Sequence, residues 1–420
     1  MITASSIEEK LRSIAGAENF RAACADDVVC GLQPQFVAEP CDERQLAALL
    51  SCANEAGLAV IPRGGGTKLT WGNRPARADL ILSTQALNRI REHAWADLTV
   101  TVEGGCTVQV LQDTLAKHGQ RLALDALWPE RATIGGVLST NDSGALRLRF
   151  GALRDLVIGV TLALPDGTVA SSGGKVVKNV AGYDLPKLAT GALGTLGLIT
   201  RAVFRLHPSP RKTRTLCFEP GSLDETQQIL LSIQDSQLAH TAFQIRCGSV
   251  GSLVADVLFE ATEAGLTAQE ARLRAIVGAD ALQPSSLDLW SARQNLFSAA
   301  GASDVLAKFT HLPSQLAQTI SQIDLLAKRQ SVNWQAVVQA TGIGALLLQG
   351  QAEALRNVIE QLRAERERHG ASLVLMHRPT ELESLDAWGN PGDALALMRA
   401  MKHRLDPKNT LNPGRFVGSI

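Results

Sequence analysis

The chain has 420 residues, a formal net charge of zero and 45% apolar residues, a composition typical of a globular protein long enough to form two domains. No basic stripe is interleaved with aromatic residues, which argues against a nucleic-acid-binding surface. No apolar run approaches the roughly 20 residues of a membrane-spanning helix, and the first residues resemble an amphipathic helix more than a secretory signal. We therefore expect a cytoplasmic protein that partner chains could hold at the inner face of a membrane.

The cysteines and histidines do not form ligand motifs. Seven cysteines are scattered along the chain without a C-x-x-C pair, which predicts reduced thiols and no iron–sulfur cluster within this chain. The eight histidines form neither H-x-H nor H-E-x-x-H, so we expect no metal site.

The first part of the chain predicts a β-α-β unit. Its expected elements are a helix from Ile7 to about Phe20, short strands at 28–29 and 36–38, a helix over 41–57 and a strand over 57–61. Asp42 is positioned to cap the second helix and Gly57 to end it. The unit therefore places the residues after Ile61 at the carboxyl end of a strand, where open α/β sheets bind ligands.

The run Ile61-Pro-Arg-Gly-Gly-Gly-Thr-Lys68 follows that strand. Three glycines allow a tight turn whose bare N–H groups form an anion-binding nest, and Arg63 and Thr67 add a cation and a hydroxyl that suit a pyrophosphate. An ordinary glycine-rich turn explains the same residues equally well. The run matches neither G-x-x-x-x-G-K-[ST] nor G-x-G-x-x-G.

A second α/β lobe follows, with strands expected at 78–83 and 97–102 and a helix over 107–118. Thr133 is a candidate cap for a short helix whose first turn contains Gly135 and Gly136, where a flat ring could lie against backbone N–H groups. Asn141, Ser143 and Gly144 follow on a polar loop. A capped helix and a turn without a ligand explain this segment too and, taken alone, are favoured.

The next segment predicts a hairpin over 156–171, a polar glycine-rich run over 173–185, a short helix over 188–195 and a strand over 196–206. The polar run contains Lys178 and the single tyrosine, Tyr183, and its concentration of polar groups beside glycines suggests a site. Two prolines at 208 and 210 mark a domain boundary.

The remainder alternates long helices with strands, which predicts a ferredoxin-like α+β domain. Helices are expected at 223–236, 267–277, 312–328 and 352–369, and strands at 333–340, 345–349 and 372–377. The tail contains Pro407, Pro413 and Gly414, a rigid loop that could return Arg415 to the surface of the first domain. A stiff surface tail is the alternative.

Six segments together resemble one family. They are Pro62–Thr67, Ala132–Gly136 with Asn141 and Gly144, Leu164–Gly167, Lys178–Leu185, Gly194–Thr200 and Leu411–Arg415. In this order they are similar to the FAD-binding domain of the vanillyl-alcohol-oxidase or PCMH type, a family that includes D-lactate dehydrogenases and glycolate oxidases. The run Lys178–Leu185 most resembles the E-subunit branch of bacterial glycolate oxidases.

The resemblance implies an α+β fold in which a two-lobed FAD-binding domain precedes a smaller ferredoxin-like cap. The implied divisions are an N-terminal helical segment at 1–26, the FAD-binding domain at 27–210, the cap at 211–400 and a tail at 401–420 that returns to the FAD-binding domain. FAD is expected to be non-covalent, because the glycine loop contains neither histidine nor cysteine. The implied cofactor-binding residues are Pro62, Arg63, Gly64, Gly65, Gly66, Thr67, Thr133, Gly135, Gly136, Ser139, Asn141, Gly144, Ile199 and Arg415.

The implied activity is oxidation of a small 2-hydroxy acid to glyoxylate or a 2-oxo acid, with electrons passing through FAD to an iron–sulfur partner beside a catalytic FAD sister subunit. The family's histidine-rich metal motif is missing from the cap, where the last predicted strand ends at His377-Arg378. Candidates for a base or a carboxylate clamp are Tyr183, Lys178, His377 and Arg378. A self-sufficient D-2-hydroxy-acid dehydrogenase and a flavin-free scaffold are the alternatives. Three glycines that cost backbone entropy argue against the scaffold.

Overall fold

The computed structural model describes residues 4–175, 182–251, 253–278 and 281–420, and it divides into two compact units. Unit 1 contains the described residues of Met1–Ser143, Ala152–Ser209 and Pro391–Ile420, and unit 2 contains those of Gly144–Gly151 and Pro210–Asn390. Two assignments therefore differ from the sequence prediction. Residues 391–400 group with unit 1, and residues 144–151 group with unit 2.

Local packing explains the second of these differences. The segment Gly144–Gly151 forms helix α5 (Arg147–Phe150), and Ala145 and Leu146 beside it pack with Ala242 and Leu258 of unit 2. An apolar contact between residues about a hundred positions apart cannot be predicted from local sequence patterns.

A mixed four-stranded sheet opens unit 1, in the order β1-β2-β4-β3, and both β2 and β3 pair with β4 in parallel. Its strands are β1 (Phe20–Ala22), β2 (Phe36–Ala38), β3 (Val60–Arg63) and β4 (Leu80–Ser83). Helix α1 (Ala4–Ala15) ends earlier than predicted, at Gly16 with φ 88°. The strand predicted at 28–29 is wrong, since Val29 instead makes an isolated bridge to Leu32.

The predicted β-α-β unit is confirmed. Helix α2 (Glu43–Glu55) connects β2 to β3, and the Asp42 side chain caps it by accepting a hydrogen bond from the Gln45 N–H at 2.8 Å. The glycine loop follows β3 directly, at the carboxyl end of that parallel strand. This is the position where ligands bind in open α/β sheets.

A five-stranded antiparallel sheet follows in unit 1, in the order β5-β6-β10-β8-β9. The strands from β5 to β11, including the separate β7–β11 pair, are Ile90–Ala94, Thr99–Glu103, Gln120–Arg121, Val157–Ala163, Val169–Gly173, Leu198–Arg205 and His207–Pro208. The remaining helices of unit 1 are α3 (Val108–Ala116), α4 (Ile134–Thr140), α6 (Leu153–Leu156), α7 (Leu185–Ala189) and α13 (Leu395–Leu405).

The helix predicted over 188–195 is wrong in position. Helix α7 ends at Ala189, and Gly191, Leu193 and Gly194 all have positive φ values, of 84°, 50° and 68°. A right-handed helix cannot continue through left-handed residues. The segment instead turns directly into β10.

Unit 2 is one eight-stranded antiparallel sheet with helices, in the order β15-β12-β14-β13-β17-β18-β16-β19. The strands from β12 to β19 are Lys212–Phe218, His240–Gly248, Val254–Ala261, Gln283–Ser285, Val305–Thr310, Asn333–Gln339, Ile343–Gln349 and Leu373–His377. The helices are α8 (Leu223–Asp235), α9 (Glu263–Val277), α10 (Ala292–Ser298), α11 (Leu316–Arg329) and α12 (Ala352–Arg368).

The element order of unit 2 confirms the ferredoxin-like prediction and shows that the pattern occurs twice. The first half runs β12-α8-β13-β14-α9-β15 and the second runs β16-α11-β17-β18-α12-β19, each a split β-α-β arrangement. Antiparallel pairing of β13 with β17 joins the two halves into one sheet. Both halves contribute to one apolar core, which includes Phe243, Phe259 and Phe309.

The C-terminal tail is built into unit 1. The Val60 N–H donates to the Thr410 carbonyl at 2.7 Å, and the Asn412 N–H donates to the Val60 carbonyl at 3.0 Å, so the tail pairs in parallel with β3. Lys402 is buried, and its Nζ donates to Asp406 at 2.6 Å and to the Thr195 carbonyl at 2.9 Å. Within the described residues, the model has no helix that combines the length and the apolarity of a membrane span.

We predict that Lys402→Met destabilises unit 1 because it leaves the buried Asp406 carboxylate without its cation. The free energy of unfolding should fall by about 3–5 kcal/mol, measured by urea unfolding. Arg404→Met, an exposed change in the same helix, is the matched control and should alter it by no more than about 0.5 kcal/mol. Equal effects of the two substitutions would contradict this role for the pair.

Candidate functional site

A cleft lies beside the glycine loop in unit 1. Four stretches of sequence supply most of its wall: the loop after β3, helix α4 with its cap Thr133, the segment 193–199 and the C-terminal tail. The sequence-predicted residues on its wall are Pro62, Arg63, Gly64, Gly65, Gly66, Thr67, Thr133, Gly135, Gly136, Ser139, Ile199 and Arg415. The structure thus brings together most of the residues predicted to bind the cofactor.

The glycine loop packs directly against the residues that precede α4. A Cβ atom on Gly65 would lie 1.8 Å from the Arg131 carbonyl oxygen, and one on Gly64 would lie 2.1 Å from Thr133 Oγ1. Both distances are impossible for a real side chain. This packing alone explains two of the three glycines, so their presence does not by itself separate a cofactor loop from a scaffold. Gly66 differs, because its φ of 71° is the feature that favours glycine there.

The start of α4 forms the opposite wall of the cleft. Thr133 caps the helix as predicted, with Oγ1 accepting from the Gly136 N–H at 3.4 Å. The Gly135 N–H donates to the Gly104 carbonyl at 2.7 Å, and a Cβ on Gly135 would approach that oxygen to 3.1 Å. Small residues in this first turn let the helix backbone lie close to β6 and β10. They also keep the cleft wall flat.

Arg63 is less available as a cation than the sequence suggested. Its Nη1 donates to Asp27 Oδ1 at 2.8 Å, and Asp27 is buried and also accepts from Arg21. The hydrogen bond from Arg21 is the largest influence that holds the pKa of Asp27 well below its usual range; burial opposes it, and Arg63 adds to the lowering. The positive charge of Arg63 at the cleft is therefore partly compensated by a neighbouring carboxylate.

Arg415 is buried in unit 1 and does not reach its surface. Its guanidinium donates to the carbonyls of Lys68 and Trp71, each at 3.1 Å, and burial lowers its pKa. These bonds hold the backbone immediately after the glycine loop. Arg415 therefore fixes the shape of the cleft as well as lining it.

The loop after α4 contains two buried polar atoms that have no hydrogen-bond partner, Asn141 Oδ1 and Ser143 Oγ. Asn141 is the C-cap of α4 and has a φ of 48°. Buried polar atoms are normally satisfied, and several other unsatisfied atoms occur elsewhere in the described residues. Asn141 is not among the described residues lining the cleft, and Gly144 lies in unit 2.

Sequence reasoning missed several residues of the cleft wall. They are Lys68, Leu69, Thr84, Thr140, Leu193, Gly194, Leu198 and Asn412. Three of them carried a signal, since Gly194 and Leu198 belong to one of the recognised segments and Asn412 belongs to another. Lys68 ends the glycine run, and its Nζ lies 3.3 Å from Asp142 Oδ2, a contact that the spacing in the sequence does not predict.

The predicted catalytic residues are distributed over both units. Tyr183 belongs to unit 1 and is 92% exposed. Lys178 lies outside the described residues. His377 ends β19 in unit 2, and Arg378 follows it. In the parts of the chain that the structure describes, no group of three or more His, Cys, Asp or Glu side chains could hold a metal ion. The catalytic assignments stay predictions.

Comparison with known proteins matches two segments of the chain to family models. Residues 34–173 match the FAD binding domain, and residues 388–416 match the C-terminal domain of FAD linked oxidases. The chain is 32% identical to glycolate oxidase subunit GlcD of Bacillus subtilis, over 54% of this chain and 50% of that protein. It is likewise 32% identical to D-lactate dehydrogenase of Archaeoglobus fulgidus, over 48% and 45%. The matched region thus spans about half the length of these two relatives.

Two further comparisons cover more of the chain. D-2-hydroxyglutarate dehydrogenase of Xanthomonas citri pv. viticola is 26% identical, over 91% of this chain and 89% of that protein. The solved structure of p-cresol methylhydroxylase with substrate bound aligns with a TM-score of 0.78 at 14% identity, covering 99% of this chain and 97% of that one. Alkyldihydroxyacetonephosphate synthase aligns with a TM-score of 0.74 at 16% identity, covering 98% and 86%. The structural matches establish the fold.

We predict that Gly65→Ala disrupts the loop, because its methyl group collides with the Arg131 carbonyl. The cost to stability should be about 1–3 kcal/mol or more, and retention of the cofactor after gel filtration should be lost. Gly174→Ala is the control, since a Cβ there meets nothing within 4 Å. Retention of the cofactor by Gly65→Ala would show that the loop can move away from residues 131–133.

We predict a pH-dependent contribution from Asp27. Because its pKa is depressed in the folded protein, its stabilising effect is complete above its unfolded value of about 3.9 and declines as pH falls toward the folded value. Urea unfolding should show Asp27→Asn destabilised at about pH 7, with the difference from wild type about 1 kcal/mol smaller at about pH 3. The exposed change Asp113→Asn should show little dependence. A constant Asp27→Asn difference across this range would refute the assignment.

Proposed function

We propose that the chain is an FAD-dependent oxidoreductase, and more narrowly the FAD-binding subunit of a 2-hydroxy-acid oxidising complex of the glycolate oxidase type. One observation carries the proposal. Most of the cleft wall falls within the two matched family segments: the glycine loop and the start of α4 lie in residues 34–173, and Asn412 and Arg415 lie in residues 388–416.

The residues present fit FAD on grounds of their own chemistry. The glycine loop offers backbone N–H groups for the pyrophosphate, and the capped start of α4 offers a flat backbone surface. Gly64, Gly65 and Gly66 present main chain without side chains to the cleft, so a phosphate group can approach the backbone closely. When bound, FAD would supply the oxidant that accepts two electrons from the hydroxy acid.

We propose that the substrates of this protein are small 2-hydroxy acids. The supporting observation is the similarity to a glycolate oxidase subunit, a D-lactate dehydrogenase and a D-2-hydroxyglutarate dehydrogenase. Glyoxylate or another 2-oxo acid would be the product. The resemblance of Lys178–Leu185 to glycolate oxidase E subunits supports an iron–sulfur partner and a catalytic FAD sister subunit in the same complex.

One observation favours a second candidate, a self-sufficient D-2-hydroxy-acid dehydrogenase. The similarity to D-2-hydroxyglutarate dehydrogenase extends over 91% of this chain and therefore includes unit 2. In that function His377 or Arg378 would bind the substrate carboxylate, since an arginine can do so through two hydrogen bonds.

An absorption spectrum and an anaerobic titration separate these candidates. We expect flavin bands in the purified chain, no bleaching by glycolate or D-lactate alone, and bleaching once the partner subunits are present. L-Lactate at the same concentration controls for chirality. Direct bleaching by a D-2-hydroxy acid would instead establish the self-sufficient dehydrogenase. Absence of flavin bands after FAD supplementation would leave the scaffold.

A further inference from the structure

Arg63 is the most exposed cation on the described wall of the cleft. Its side chain is 20% exposed, whereas the Lys68 side chain is 4% exposed and Arg415 is 3% exposed. The guanidinium of Arg415 also donates to backbone carbonyls after the glycine loop. A phosphate group that enters the cleft therefore reaches Arg63 more readily than the two buried cations.

The protein holds the Arg63 guanidinium from one side only. Its Nη1 donates to Asp27 Oδ1 at 2.8 Å. Within the part of the chain that the structure describes, Nε and Nη2 have no hydrogen-bond or ion-pair partner. These two nitrogens form one edge of the planar guanidinium, and such an edge can bind a phosphate through two parallel hydrogen bonds. The contact with Asp27 leaves that edge available.

Asp27 lies behind the cleft wall and is itself firmly held. It is buried and does not line the cleft. Its Oδ2 accepts from the Cys24 N–H at 2.9 Å and from Arg21 Nη1 at 2.6 Å, and its Oδ1 also accepts from Arg21 Nη2 at 3.0 Å. Because the carboxylate cannot rotate without breaking these bonds, it fixes the direction from which it holds Arg63.

The second arginine keeps this cluster positively charged. Arg21 belongs to β1 and Arg63 ends β3, and the two guanidinium groups share the single carboxylate of Asp27. Two cations and one anion give the cluster a formal charge of +1, whereas Arg63 and Asp27 alone would be neutral. Arg21 and Asp27 precede residues 34–173, so the matched FAD-binding segment does not include them.

We propose that Asp27 is a positioning residue of the cofactor site, which orients the Arg63 guanidinium to bind the pyrophosphate of the dinucleotide, and that Arg21 preserves the positive charge of the cluster. This inference rests on the proposed function only for its premise that the cleft binds FAD. It adds a side-chain contact to a loop otherwise expected to act through its backbone.

The test uses ADP, which carries the pyrophosphate without the flavin, and riboflavin, which carries the ring without phosphate. The variants are Arg63→Met, Asp27→Asn, their double variant and Arg21→Met. Arg77→Met is the matched control, because it removes an arginine–aspartate pair with Asp79 in the same unit, away from the cleft wall. Calorimetry measures binding to cofactor-stripped protein, and thermal unfolding of each apoprotein shows that it is folded at the assay temperature.

We expect Arg63→Met to bind ADP and FAD about ten- to hundredfold more weakly than wild type. Asp27→Asn should weaken binding by about five- to twentyfold, although it removes a negative charge, and it should add little to Arg63→Met in the double variant. Arg21→Met should weaken binding by about two- to fivefold, because Arg63 is then compensated by a whole carboxylate. Riboflavin affinity should change by less than about twofold in every variant, and Arg77→Met should match wild type.

Tighter ADP binding by Asp27→Asn would overturn the proposal, because it would make Asp27 a competitor for the charge of Arg63. Additive losses in the double variant would also overturn it, since Asp27 would then act independently of Arg63. Failure of the wild-type protein to bind either ADP or FAD would overturn the cofactor assignment and this inference with it. No hydroxy acid is present in the assay, so a wrong substrate assignment would leave the result unchanged.

Discussion

The cleft depends on the close approach of two backbone segments with no side chain between them. Gly65 lies so near the Arg131 carbonyl that a methyl group on its Cα would clash with the carbonyl oxygen. The same principle recurs at Gly105, where a Cβ would lie 1.8 Å from the Thr84 carbonyl. Close backbone contact at both places holds the carboxyl ends of β3 and β4 against the start of α3 and α4, so the wall of the cleft is mostly main chain.

The tail completes a wall that the glycine loop begins. Leu411 makes an isolated parallel bridge to Val60 at the edge of the sheet, and Arg415 then donates to carbonyl groups after the glycine loop. Lys402 and Asp406 hold this strand in place from inside unit 1. Arg415, near the C-terminus, therefore holds the backbone that follows a loop about 350 positions earlier.

Helix caps and the hairpin turn could be predicted from the sequence, because each depends on residues within a few positions of one another. Asp42, Thr107 and Thr133 each cap the predicted helix, and the Pro165-Asp-Gly167 turn lies between β8 and β9. The prediction of a helix over 188–195 was wrong because the backbone at Leu193 is left-handed. Leucine rarely adopts that conformation, so the residue type does not predict it. The ferredoxin-like pattern was readable from element order, whereas the pairing of β13 with β17 joins residues about ninety positions apart.

For the candidate site too, the sequence predicts which residues line the cleft better than it predicts which groups they contact. Sequence reasoning placed Arg63, Thr133 and Arg415 at the cleft, because glycine runs, caps and rigid tails are local features. It could not assign their electrostatic roles. The carboxylate that compensates Arg63 is Asp27, and the groups that occupy Arg415 are backbone carbonyls far along the chain. Contacts between residues so far apart in the sequence form only on folding, and residue spacing does not predict them.

Several charge pairs in the described part of unit 1 involve a buried carboxylate, among them those of Glu103 with Arg89 and Arg91. Two of them have short contacts, 2.6 Å in Lys402–Asp406 and 2.8 Å in Arg63–Asp27. Buried ion pairs add little net stability once the cost of desolvation is included, so their main effect is to fix the positions of the segments they join. The two short pairs fix the tail and the start of the glycine loop.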